Sequence, residues 1–130
     1  MSELAGLIAA VPYYRYLGLR SAPDGAVVLP ADERHIGLHE PPLIHGGILS
    51  AFLEAAGALY LQTTGVAAPA AIAVTTDYLR PAPVIDTTAI VNVIRRGRRI
   101  THLRIDAVQQ DDRLVATATG SWLTPDASGR

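Results

Sequence analysis

His39–Gln62 reads HEPPLIHGGILSAFLEAAGALYLQ. Pro41 and Pro42 stiffen the approach, and His45-Gly46-Gly47 opens a long apolar run from Ile48 to Leu61. The run is too long for an ordinary strand and is rich in Ala and Leu, strong helix formers, so it predicts a helix. It is apolar on nearly every face, as in a membrane span or a helix buried inside a fold. A bilayer span needs about 20 apolar residues. This run is shorter, so it reads as the buried axis of a soluble domain. One ionisable residue, Glu54, interrupts it. A carboxylate buried without a partner costs several kcal/mol, so the position either satisfies the charge locally or uses it.

The remaining chain supplies the cover. Residues 3–10 read as a short helix that stops before Pro12. Tyr13, Tyr14 and Tyr16 follow, either as a lid or as cover for a core edge. A strand is expected from Leu17 to Arg20, a turn at Pro23-Asp24-Gly25 and a second arm over Ala26–Leu29. Residues 31–44 read as a polar, Pro-rich loop carrying His35 and His39. Beyond the helix, strands are expected over 71–79, 87–95, 99–109 and 114–123. In the third, Thr101, Leu103, Ile105 and Ala107 alternate with Ile100, His102, Arg104 and Asp106. A helix apolar all round needs a sheet to wrap it, and a single sheet leaves its far side open, which argues for a second subunit.

Composition limits the functions available. The chain has 130 residues and 49% hydrophobic residues, enough for one core. A net charge of −1 gives no field for nucleic acid or an anionic membrane surface. Without Cys there is no disulfide, thiol nucleophile or Cys-ligated zinc. No signal peptide or transmembrane run is apparent, so a cytoplasmic location is expected. The expected layout is one domain over 1–124 and a disordered tail over 125–130.

These residues resemble a known family. His45-Gly46-Gly47, with Glu54 nine positions after the His, is similar to the HGG…D/E signature of hot-dog-fold acyl-CoA thioesterases of the phenylacetate-pathway (PaaI-like) type. Tyr78-Leu79-Arg80-Pro81-Ala82, Arg96-Gly97-Arg98-Arg99 and Leu114–Gly120 resemble further segments of that family, in the same order. The resemblance implies an α+β hot-dog fold, a long central helix wrapped by a curved antiparallel sheet. It also implies a homodimer, or a dimer of dimers, that hydrolyses an acyl-CoA with no cofactor beyond the coenzyme A of its substrate. Two positions depart from the pattern. His39 stands where many members carry Asn or Gln, and Ala58 stands where some carry a hydroxyl residue one turn after the acid.

Thioester hydrolysis needs an activated water or nucleophile, a carboxylate to direct it and donors for the oxyanion. Glu54 is the candidate carboxylate, with burial expected to raise its pKa. Gly46 and Gly47 open the helix, where free N–H groups and the positive end of the dipole face outward; the Gly46 N–H is the candidate oxyanion donor. His45 reads as a brace for the loop, and His39 completes the candidate catalytic set. Gly46 and Glu54 are eight residues apart, about 12 Å along a helix axis, too far to serve one carbonyl. A site would therefore combine Gly46 of one chain with Glu54 of its partner. Arg95, Arg96, Arg98 and Arg99 surround Gly97 and form a candidate site for the coenzyme A phosphates, with Arg80 assisting. No metal is expected, because the spacing of His35, His39 and His45 fits no common ligand pattern. Two alternatives remain: an acyl-thioester dehydratase or hydratase pairing His39 with Glu54, and a non-catalytic acyl-CoA-binding protein.

Overall fold

The computed structural model describes residues 2–125. Two short helices, α1 (Glu3–Ala9) and α2 (Pro12–Leu17), precede two short strands, β1 (Arg20–Ser21) and β2 (Val27–Leu29). A 3-10 turn over Glu33–His35 leads into the hairpin β3 (Ile36–His39) and β4 (Pro42–Ile44). The long helix α3 (Gly46–Thr63) follows, and then β5 (Ala70–Tyr78), β6 (Thr87–Arg96), β7 (Ile100–Gln109) and β8 (Arg113–Leu123). The main sheet is antiparallel in the order β1-β2-β6-β7-β8-β5, and β5 forms one of its edges.

The core lies between α3 and the concave face of this sheet. Leu49, Phe52, Leu53, Leu59 and Leu61 of the helix are buried against Leu103, Ile105, Ala118 and Trp122. Each such side chain contributes about 1.5–3 kcal/mol on burial. The alternation expected in β7 holds, with Thr101, Leu103, Ile105 and Ala107 all buried. Gly57 lets the helix come close to the sheet: a Cβ there would lie 2.6 Å from the Trp122 ring. The last strand is pinned past its end, where the Thr124 N–H donates to the Arg99 carbonyl at 2.6 Å. Of the tail expected over 125–130, only Pro125 falls within the described residues.

Two expectations need correction. The strand expected from Leu17 begins only at Arg20: Leu17 ends α2, which Pro12 starts and Gly18 closes in the left-handed region at φ 74°. Residues 31–44 are not simply loop, because they fold into the 3-10 turn and the β3–β4 hairpin. Proline is tolerated there because the hairpin is a separate two-stranded edge piece. As expected of a helix wrapped by a single sheet, α3 is not covered all round within one chain. Gly47 and Glu54 are exposed, and Ser50, Ala51 and Ala58 are half-buried, so a stripe of small residues with one acid stays open. Among the described residues, no helix is long and apolar enough to cross a membrane.

Candidate active site

The site begins at the first turn of α3. His45 is the N-cap, and its Nδ1 accepts a hydrogen bond from the Gly47 N–H at 2.8 Å. The N–H groups of Ile48 and Leu49 donate to the His45 carbonyl at 3.0 and 3.2 Å. Gly47 is therefore occupied, whereas the Gly46 N–H has no acceptor among the described residues. A free N–H at a helix N-terminus attracts a developing negative charge. His45 is itself held from behind, its N–H donating to the His35 carbonyl at 2.7 Å. Gly37 of β3 packs flat against it; a Cβ at that position would come within 2.7 Å of the His45 Cα.

Tyr78, at the end of β5, closes over Gly46. Its hydroxyl donates to the Gly46 carbonyl at 2.9 Å, and its ring lies 3.2 Å from where a Cβ of Gly46 would sit. Gly46 and Tyr78 line a cavity of about 380 Å³ together with Leu49, Leu79 and Arg80. His39 is exposed on β3, opposite Pro42.

Glu54 belongs to a different cavity. It lines a cleft of about 210 Å³ with Tyr14, Ala58, Ala71 and Trp122. The expected burial of Glu54 is not present within the single chain, where the residue is exposed. The reason is its place on the open stripe of α3, two turns along from Gly47 on the same side of the helix. Tyr14, which the sequence leaves undecided between lid and cover, is half-buried in this cleft. Its phenol is raised above the usual value, first by burial and then by the charge of Glu54.

The two cavities sit at opposite ends of β5, one at Ala71 and the other at Tyr78. Those residues are seven apart, about 23 Å along a strand. Ser50 marks the middle, its hydroxyl bonded to that of Thr76 at 2.8 Å. One chain thus presents Gly46 and Glu54 at separate places.

The arginines also divide. Arg96 reaches the C-cap of α3, its Nη1 donating to the Thr64 hydroxyl at 3.2 Å, where a cation favours the end of the helix dipole. Arg95, Arg98 and Arg99 are exposed at the β6–β7 turn. Arg80 does not join them. It donates to the Leu114 carbonyl at 2.8 Å, near the opposite end of β8 from Leu123, which pairs with Ile100 beside that turn. The four-plus-one grouping expected from sequence is therefore split within a chain. Among the described residues, no three His, Asp or Glu side chains converge to hold a metal ion.

A long helix laid across an antiparallel sheet, with a Gly-Gly start and an acid on its open stripe, defines a hot-dog thioesterase. Residues 39–123 match the family described as the acyl-CoA thioesterase N-terminal domain. The chain belongs to this family and is a thioester hydrolase acting on acyl-CoA. Solved structures agree. A mutant of the phenylacetic acid degradation protein PaaI from Thermus thermophilus is 30% identical, with a TM-score of 0.73, covering 87% of this chain and 98% of its own. A thioesterase from Haemophilus influenzae is 21% identical, with a TM-score of 0.82, covering 95% of this chain and 90% of its own. A thioesterase-superfamily relative from Shewanella oneidensis is 23% identical, with a TM-score of 0.77, covering 93% and 92%. None of the curated proteins matches the chain.

Proposed function

We propose that this thioesterase hydrolyses a medium-chain or aromatic acyl-CoA at a site assembled from two copies of the chain. One copy supplies Glu54, and the other supplies the Gly46 N–H. The observation that carries this reading is the placement of the two groups in separate cavities at opposite ends of β5. Antiparallel pairing of β5 with its own copy, about a two-fold axis near Val74 and Thr75, lays each Ala71 beside the other chain's Tyr78. The same operation covers the open stripe of α3 and makes two equivalent sites. The free edge of β5 and the exposed Ile72 upon it support such pairing.

In this site the thioester carbonyl oxygen points at the Gly46 N–H, which holds the charge that develops on it. Glu54 takes a proton from the attacking water as the water oxygen bonds to the carbonyl carbon. The carbon–sulfur bond then breaks, and the proton passes to the departing thiolate. The bracing of His45 by His35 and Gly37 keeps the donor in place. Arg95, Arg98 and Arg99 are the groups available to the coenzyme A phosphates. The aromatic walls given by Tyr13, Tyr14 and Trp122 beside Glu54 support a flat or apolar acyl group.

The test is steady-state hydrolysis of a series of acyl-CoAs by the wild type and Glu54→Gln. The variant should lose about 100- to 10,000-fold in kcat while still binding coenzyme A. A Glu54→Gln enzyme as fast as the wild type removes Glu54 from the chemistry. Hydration of an enoyl-CoA without release of coenzyme A would replace hydrolysis by the dehydratase-type reaction.

A further inference from the structure

The cleft that holds Glu54 contains few groups able to hold a water. Its wall is largely alanine and proline, from Ala51, Ala55, Ala58, Pro69 and Ala71. The other polar side chains lining it are Tyr13, Tyr14 and Trp122. Tyr13 is 48% exposed and stacks on Tyr16, with ring centroids 5.9 Å apart. Trp122 offers only a donor, so it cannot accept the second hydrogen of a water that gives its first to Glu54. Tyr14 remains. It comes from α2, is half-buried, and senses the charge of Glu54 without a direct hydrogen bond to it. The two groups thus line one cleft, with no other residue of the chain bonded to the Tyr14 hydroxyl among the described residues.

We propose that the Tyr14 hydroxyl is a catalytic group that holds the attacking water together with Glu54. This rests on the hydrolase reading above and deepens it. The water gives one hydrogen to the Glu54 carboxylate and the other to the Tyr14 oxygen, leaving a lone pair for the carbonyl carbon. The proton transferred in the step goes to Glu54, and Tyr14 ends the cycle as it began. A phenol is neutral near pH 7 in any case, and burial moves this one further from ionising, so a second negative charge does not form beside the carboxylate. The role falls to a helix outside the His-Gly-Gly segment because the position one turn beyond Glu54 is Ala58, which has no hydroxyl.

The experiment compares the wild type, Tyr14→Phe, Tyr16→Phe and the double variant Tyr14→Phe/Ala58→Ser as intact proteins, on an acyl-CoA that the wild type hydrolyses. Tyr14→Phe should lower kcat about 10- to 100-fold with KM changed less than about twofold, the mark of a group acting in the transition state. Tyr16→Phe, whose ring lies under Arg34 outside the cleft, should behave as wild type. Ala58→Ser should return about fivefold or more of the lost kcat, because it sets a new hydroxyl in the same cleft. That recovery separates a lost hydroxyl from a disturbed helix. Single turnover in ¹⁸O-water should place the label in the acid product of the first cycle. A Tyr14→Phe enzyme with wild-type kcat overturns the proposal and leaves the hydrolase reading intact. Unlabelled acid in the first turnover also overturns it, because the carboxylate itself would then be the nucleophile. A wild type that hydrolyses no acyl-CoA overturns both.

Discussion

His35 shows how much one residue can hide. Its side chain is buried, and neither ring nitrogen has a hydrogen-bond partner, although the ring lies beside the carbonyls of Leu17 and Pro30. Burial lowers its pKa from the usual value, opposed by the charge of Asp32. The folded state therefore holds a neutral ring, while the unfolded chain binds a proton at about pH 6.5. Stability is fully present above that pH and is lost as pH falls through the lower, folded value. We expect the melting temperature to be level near neutrality and to drop as pH falls below about 6.5, with His35→Leu removing the drop. Asp32, held at about 2 by its Arg34 hydrogen bond, and Asp86, lowered by the Ala31 N–H, matter only at more acid pH. A wild-type melting curve unchanged across the window would show that the ring meets water. From sequence, His35 is one histidine in a polar loop. Its burial comes from the 3-10 turn bringing the ring beside the backbone of Leu17 and Pro30, which no local pattern announces.

At the scale of elements, the strongest periodicities survived. The run from Ile48 to Leu61 had to be helix because it is too long for a strand and rich in strong helix formers, and the alternation in β7 had to be strand because it matches the two-residue period. What failed was set by tertiary cover. Tyr-Arg-Tyr-Leu before Gly18 suits helix or strand, and the left-handed cap at Gly18 decides it. The openness of the Glu54 stripe follows from which faces of α3 the sheet reaches, a choice not written in an apolar run. Gly57 gives the sharpest test of that contact. Glycine in a helix interior costs about 1 kcal/mol relative to alanine, so Gly57→Ala would stabilise an isolated helix. Here the added methyl meets the buried Trp122 ring at 2.6 Å. Overpacking of this kind costs about 1–3 kcal/mol, and Gly57→Ala should lower stability in urea or thermal unfolding. A gain would show that the helix and sheet have room between them.

For the whole molecule, the proposed pairing along β5 explains why a single chain leaves both Glu54 and the Gly46 N–H open. It is tested by mixing. Glu54→Gln and Gly46→Pro, which removes the N–H at the first helical position and presses on the Tyr78 ring 3.2 Å from the added Cβ, should each be inactive alone. After unfolding and refolding together, half of the pairs should be mixed, with one intact site each, and activity should return to about a quarter of wild type. No recovery would place both groups in one chain's own site. The division of the arginines belongs to this scale as well. Proximity in sequence joined Arg95, Arg96, Arg98 and Arg99, but only the strand register shows that Arg80 lies at the far end of β8.

The distance between the two ends of β5 has a further consequence for a cell holding good and faulty copies. If each reaction centre is stitched from two molecules, a defective copy disables one centre in whichever sibling it joins. The loss then stays at one centre per damaged copy however the copies exchange, and two copies damaged at different groups can still complete a centre between them.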